Sequence, residues 1–224
     1  MILPKVLYVM GMPGAGKGTQ AEMIAETVGY MQFSTGNAFR TISRQDTDLG
    51  RRVKETIDNG FLAPPEMAAE VVIAAVQEFV SHDTGLVFDG TPRTVRESEI
   101  VDQFFLDHGY GRPLVLYLEV SKEIMMERSS KRLYCMDIAD GFPVLDDKDA
   151  ALCASQGGRV GRRPDDEPEK FLTRYNEFMK HTYPVVERYR KESILHVIDG
   201  SQDRHVVHEA IMGIIGQYDY EKKS

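Results

Sequence analysis

Cysteine is scarce: the 224-residue chain has two, at positions 135 and 153. That is too few for a disulfide-held scaffold, so a buried apolar core must hold the fold, and 42% hydrophobic residues suffice for one. No apolar run approaches the length of a membrane span. The opening Met1-Ile2-Leu3-Pro4-Lys5 runs straight into an apolar stretch and leaves no room for a signal peptide. Positive charge is in deficit, with 27 lysines and arginines against 35 aspartates and glutamates, a net charge of −8. This argues against a nucleic-acid binder with a wholly basic surface, and any phosphate site must gather its arginines locally. Low-complexity tracts and solenoid repeats are absent too. The expectation is one soluble α/β domain, cytoplasmic and monomeric, with small-molecule partners and no nucleic acid or membrane.

The segment that organises the chain is Gly11-Met12-Pro13-Gly14-Ala15-Gly16-Lys17-Gly18-Thr19. The apolar stretch Val6-Leu7-Tyr8-Val9-Met10 precedes it and reads as a buried strand. Residues 20–28 follow with helical spacing and stop at Gly29. Strand, glycine-rich loop, lysine and helix form the context of a phosphate-binding P-loop. Glycines let the backbone N–H groups turn inward onto an anion, and the helix adds the positive end of its dipole. Gly14, Ala15, Gly16, Lys17, Gly18 and Thr19 are therefore candidate triphosphate ligands. The hydroxyl arrives one residue late, at Thr19, because Gly18 intervenes after the lysine.

Beyond the loop, residues 34–63 look like an insert carrying two short helices. Asp46-Thr47-Asp48 offers an N-cap for the second. Pro64-Pro65-Glu66 opens a longer helix to Val80, with Ala69, Val72, Ile73, Val76 and Phe79 on one face. Leu86-Val87-Phe88-Asp89 reads as a buried parallel strand with an aspartate at its carboxyl end, the edge where open α/β sheets bind ligands. Further strands are expected at 114–118 and 194–198, and helices to about Leu106, from Ser121 to Arg132, over 165–190 and after 203. The last of these carries Val206, Val207, Ala210, Ile211 and Ile214. Between Leu133 and Arg163 the period is lost, which suggests a lid. Alternating strands and helices imply a parallel sheet covered on both faces. The six histidines fall in no motif and read as surface or satisfied core positions.

The motifs after the P-loop make the resemblance specific. Phe33-Ser34-Thr35-Gly36-Asn37-Ala38-Phe39-Arg40, Asp89-Gly90-Thr91-Pro92-Arg93-Thr94, Arg128-x-x-x-Arg132, Arg163-Pro164-Asp165-Asp166 with Arg174, and Asp199-Gly200-Ser201-Gln202 occur in that order. Together with the Gly-Lys-Gly-Thr loop they resemble the adenylate kinase family over essentially the whole chain. The resemblance implies a P-loop NTPase-type parallel sheet flanked by helices, with a core of 1–33, 64–130 and 167–224, an acceptor-binding insert at 34–63 and a lid at 131–166. It implies transfer of the γ-phosphoryl of ATP, with Mg²⁺, to a nucleoside monophosphate, with AMP as the default. Arg128, Arg132 and Gln202 would join the P-loop on the donor side. Thr35, Arg40, Phe61, Leu62, Ala63, Gly90, Arg93 and position 97 would hold the acceptor. Lys17, Arg93, Arg132, Arg163 and Arg174 would act on the transferring group, and Asp89 would order the hydration shell of Mg²⁺.

Three features depart from the family pattern. Thr91 stands where the family has an aromatic. The lid positions that carry two Cys-x-x-Cys pairs in zinc-bearing members read Cys135-x-x-Ile138 and Cys153-x-x-Gln156, half the ligands tetrahedral zinc requires. A lid without structural zinc is expected, held by polar contacts or apolar packing, and whether the two thiols meet is left open. Glu97 replaces the glutamine that would read adenine. A carboxylate only accepts, so one facing the base would suit the paired donors of guanine better than adenine. The competing reading turns Glu97 to solvent or pairs it with Arg93 or Arg96. The 34–63 insert and the 89–94 segment disfavour a P-loop kinase for a non-nucleotide metabolite. The missing N-K-x-D segment disfavours a guanine-specific switch, and Lys17 with the arginines argues against a dead nucleotide-binding regulator.

Overall fold

The computed structural model describes residues 3–58, 63–79, 84–138, 141–162 and 168–218. The apolar stretch before the P-loop is strand β1 (Val6–Gly11), buried along its whole length. It is flanked on both sides by parallel partners, as a strand with no solvated face must be. After helix α1 (Lys17–Val28) comes a short strand, β2 (Met31–Ser34), and then helices α2 (Thr35–Ser43) and α3 (Asp48–Asp58). The Thr47 hydroxyl accepts from the Gly50 amide at 3.0 Å, which makes Thr47 the effective cap of α3. Helix α4 (Pro65–Phe79) begins on its proline and leads to β3 (Leu86–Asp89), α5 (Val95–Asp107) and β4 (Leu114–Glu119). Helix α6 (Lys122–Lys131) is capped by Ser121, as expected from sequence.

The described part of the main sheet has five strands in the order β2-β3-β1-β4-β8, with β8 spanning Leu195–Asp199, and every pairing is parallel. The sequence reading has only four of these. Strand β2 was missed because it is a four-residue edge strand on which Phe33 alone is buried, too little to show a period. Helix α4 buries Ala69, Val72 and Val76 as expected, but Val71 and Ala75 complete its apolar face and Ile73 is only half-buried.

The region from Leu133 onward is not structureless. Strands β5 (Leu133–Met136), β6 (Pro143–Val144) and β7 (Arg159–Gly161) form a small antiparallel sheet in the order β6-β5-β7, and helix α7 (Asp147–Ser155) packs against it. Strands of two to four residues carry no readable alternation. Asp146 caps α7, accepting from the amides of Lys148 at 2.9 Å and Asp149 at 3.1 Å. Cys135 and Cys153 are disulfide-bonded and buried. They stitch β5 to α7, so the lid has a cross-link where the sequence leaves the meeting of the two thiols open. Gly158 makes room for the bridge, since a Cβ there would fall 2.5 Å from Cys135 Sγ.

The helix expected over 165–190 begins, among the described residues, as α8 (Pro168–Glu177). A π-helical turn, Phe178–Thr182, separates it from α9 (Tyr183–Lys191). The last helix, α10 (Arg204–Gly216), buries Val207, Ile211 and Ile215, while Val206 is half exposed. A buried polar knot ties three elements together. Asp102 on α5 accepts from Tyr8 of β1 at 3.0 Å, from Tyr189 of α9 at 3.1 Å and from Arg188 at 2.8 Å. Burial pushes the Asp102 carboxyl up to about 6, against the opposing pull of Arg188, Tyr8 and Tyr189. The three donors are what make an anion tolerable at this depth.

The cross-link spans 18 residues, a loop length at which closing the unfolded chain contributes about 3 kcal/mol. Reduction, or the C135S/C153S pair, should therefore speed amide exchange across 133–161 and leave β1, β3 and β4 protected. Unchanged exchange in the lid after reduction would count against a structural role for the bridge.

Candidate active site

The parallel register sets Val9 beside Asp89 and Gly11 beside Leu118, which brings the carboxyl ends of β1, β3 and β4 to one edge. The glycine-rich loop leaves that edge and closes onto α1. Gly16 precedes the helix at φ 93°, a left-handed conformation, and no side chain caps it. No acidic residue occupies the first turn. The first amides of α1 are thus left to an external anion. Gly14 is fixed by space: a Cβ would sit 2.8 Å from the Met125 carbonyl oxygen. Gly18 is explained in the same way. A Cβ there would meet Asp89 Oδ2 at 3.1 Å, so the residue after the lysine is small where the strand-end carboxylate approaches. Helix α2 also starts without a side-chain cap or an acidic first turn, and its N-terminal Thr35 and Gly36 line the same cleft as Lys17.

That cleft has a volume of about 480 Å³ and brings together Lys17, Thr35, Ala63, Gly90, Arg93, Glu97 and Arg174, all candidates from the sequence. Gly90 lies between two of them, with its Cβ position 3.4 Å from Arg93 Nη2 and 3.9 Å from Thr35 Oγ1. Lys17 Nζ donates to the Met12 carbonyl at 3.1 Å. Burial pushes the Lys17 ammonium down to about 8; Asp89 opposes the shift, and the charges of Arg174, Arg93 and Arg132 add to it. Those four partners act on Lys17 together, so Arg132 belongs to the same electrostatic site although it does not line the cleft.

Some candidates sit elsewhere. Arg40 does not line the cleft and lies beside Gly36. Arg128 is bound within the fold: its guanidinium donates to the carbonyls of Gly200 at 2.6 Å and Ser201 at 2.9 Å. It thereby holds the turn that carries Gln202, whose amide donates to Asp199 at 2.9 Å. Hydrogen bonds from Ser201 and Gln202 pull the Asp199 carboxyl down to about 2. Phe61, Leu62 and Arg163 lie outside the described residues.

Glu97 follows neither sequence reading in full. It lines the cleft yet is 2% exposed, so it does not turn to solvent, and Arg96 pairs instead with Glu66 and Glu99. Its Oε1 accepts from the Thr91 hydroxyl at 2.5 Å and its Oε2 from the Arg93 main-chain amide at 2.8 Å. Burial raises its carboxyl, and those two bonds with the Arg93 charge pull it back. The reading of the histidines also needs correction. His181 lines the cleft, 3.5 Å from Glu177, with Phe178 and Thr182 beside it. The spacing Arg174, Glu177, Phe178, His181 is one helical face, and that signal would have placed them with Arg174.

A glycine loop on an uncapped helix, with a lysine and arginines converging where parallel strands end, defines a P-loop site for nucleotide phosphates and phosphoryl transfer. The adenylate kinase family model matches residues 9–194. An adenylate kinase of Geobacillus sp. (strain WCH70) is 36% identical over 215 residues, covering 94% of this chain and 98% of the relative. That of Bacillus subtilis (strain 168) is 34% identical over 94% of this chain and 97% of its own length, and that of Clostridium tetani 32% over 94% and 98%. The chain belongs to the adenylate kinase family.

Burial holds the Lys17 ammonium down at about 8, well below the usual lysine range. Its depressed value means that the proton leaves as pH rises through 8, and the phosphate grip leaves with it. The kcat/KM for ATP should therefore fall above pH 8 in the parent, and this limb should vanish in Lys17→Met. A parent profile flat to pH 9.5 would contradict the assignment.

Proposed function

We propose that the chain transfers the γ-phosphoryl of ATP to AMP, giving two ADP, through the residues gathered at this cleft. The observation that carries the reading is the convergence of Lys17, Arg93 and Arg174 on one cleft at the carboxyl edge of the sheet, with Arg132 also acting on Lys17. Phosphoryl transfer needs alignment and positive charge around the migrating group, and a planar guanidinium supplies two hydrogen bonds to each phosphate. The amides of Gly14 to Thr19 and the Lys17 ammonium hold the donor phosphates. Arg93, with Thr35 and Gly90, holds the acceptor phosphate at the start of α2, while Arg40, Phe61, Leu62, Ala63 and Glu97 complete the acceptor side. Arg132, Arg163 and Arg174 close on the transferring group. Arg128 serves the donor side through the Gln202 turn. The acceptor oxygen is already anionic, so the protein supplies no general base.

Magnesium fits this donor set. No group of three or more His, Cys, Asp or Glu gathers among the described residues, and the Asp89 carboxylate approaches the P-loop at Gly18. One carboxylate beside a phosphate cradle suits an ion that keeps its waters. When bound, Mg²⁺ neutralises charge on the triphosphate; Asp89 orients its water shell.

Segments 34–63 and 131–166 act as two units that close on the core of 1–33, 64–130 and 167–224, excluding water that would compete as acceptor. The lid works without structural zinc. The enzyme acts as a cytoplasmic monomer on small nucleotides; no described helix is long and apolar enough to cross a membrane.

Coupled assay of ADP formation tests the reading. Lys17→Ala, Arg93→Ala and Arg174→Ala should each lower kcat by roughly 10²–10³-fold, as expected for loss of a preorganised charge, with the melting temperature barely moved. Near-normal turnover in any of the three would remove that residue from the site.

A further inference from the structure

The two departures from the family pattern on the acceptor side, Thr91 and Glu97, touch each other. The Thr91 hydroxyl donates to one oxygen of Glu97 and the Arg93 amide to the other, at 2.5 and 2.8 Å. The main chain of Glu97 is held as well, its amide donating to Thr94 Oγ1 at 3.2 Å. Residue 97 is thus tied at both ends to the loop that leads into α5. Arg93 completes the loop, its Nε donating to the Gly90 carbonyl at 2.8 Å. Thr91 and Glu97 are both 2% exposed, whereas Arg93 is exposed. The anchors are buried and the working guanidinium faces the cleft.

The chemistry makes the two anchors a matched set. An ionised carboxylate accepts at both oxygens, so it can take an N–H and an O–H at once. A glutamine has one accepting oxygen; its amide group would face the other donor unless the Thr91 hydroxyl turned round to accept. The carboxylate also places a buried negative charge near the Arg93 guanidinium, which pulls its pKa down in return. Each oxygen already accepts a hydrogen bond from the loop, so the loop sets the position of the side chain before any base arrives.

We infer that Thr91 and Glu97 form a positioning pair for Arg93, and that Glu97 serves the acceptor phosphate through Arg93 rather than reading the acceptor base. This rests on the phosphotransferase reading above. A side chain fixed by its main chain and its own Nε is preorganised for the phosphate, and misplacement of about 1 Å costs on the order of a hundredfold in rate.

Kinetics of Thr91→Ala, Glu97→Gln, Arg93→Ala and their pairs test this, with AMP, GMP, CMP and UMP as acceptors. Glu97→Gln should lower kcat with AMP by up to about a hundredfold and leave KM for ATP and the order of base preference unchanged. Added to Arg93→Ala it should cost nothing more, because the residue it positions is gone. Amide exchange supplies a readout independent of turnover: the Arg93 N–H, slow in the parent, should exchange quickly in Glu97→Ala, and melting curves show whether each variant is folded. A Glu97→Gln enzyme that keeps its kcat and changes its base preference would overturn the inference, as would full additivity with Arg93→Ala. A parent chain that forms no ADP would sink the phosphotransferase reading instead. The Arg93 amide would then decide the pair alone, with retained protection in Glu97→Ala overturning it.

Discussion

Parallel pairing of β1 between β3 and β4 is the constraint on which the site depends. It sets Val9 opposite Asp89 and Gly11 opposite Leu118. A slip of one residue would move every side chain of β1 to the other face of the sheet and carry the loop away from Asp89. Both faces of β1 are buried, so the register is held by the packing of particular side chains, among them Tyr8, whose hydroxyl must reach Asp102. The closeness of Gly18 to Asp89 follows from this register. So does the placing of Lys17 within the fields of Asp89 and three arginines.

Electrostatics in this protein are local. A chain with net charge −8 still gathers guanidinium groups at one sheet edge, where burial, with their repulsion added, weakens the lysine's hold on its proton. Positive charge crowded at this edge favours a polyanion there. In the core the balance runs the other way. Asp102 is an isolated buried carboxylate relieved by two tyrosines and Arg188, and it fixes β1, α5 and α9 relative to one another. Mobile anions are welcomed at the edge, while the fixed anion in the core is fully partnered.

Much of this was legible in the sequence. The P-loop, the aspartate ending β3 and Arg93 four residues beyond it each combine a local pattern with a predictable place at the sheet edge. Position 174 was placed by family resemblance and proved to line the cleft. What escaped was whatever depended on packing without period. Strand β2 buries one residue, and the lid strands are shorter than an alternation can register. Charge and motif also could not show that the terminal nitrogens of Arg128 reach carbonyls 72 and 73 residues away. The role of Glu97 was hidden because its partners, a hydroxyl and a main-chain amide, became visible only once the 91–97 loop was folded.

The π-helical turn at Phe178–Thr182 has a consequence for how one continuous rod serves two masters. Arg174 and Arg188 are fourteen positions apart, which in an unbroken α-helix would leave them about 40° from each other around the axis. One extra residue taken up in the wide turn changes that separation to roughly 140°. The same length of backbone can then aim Arg174 at the cleft and Arg188 at Asp102 in the interior. A regular α-helical turn at the same chain length would bring the two cationic faces to within about 40° of each other, so that the rod could satisfy the cleft or the core but not both.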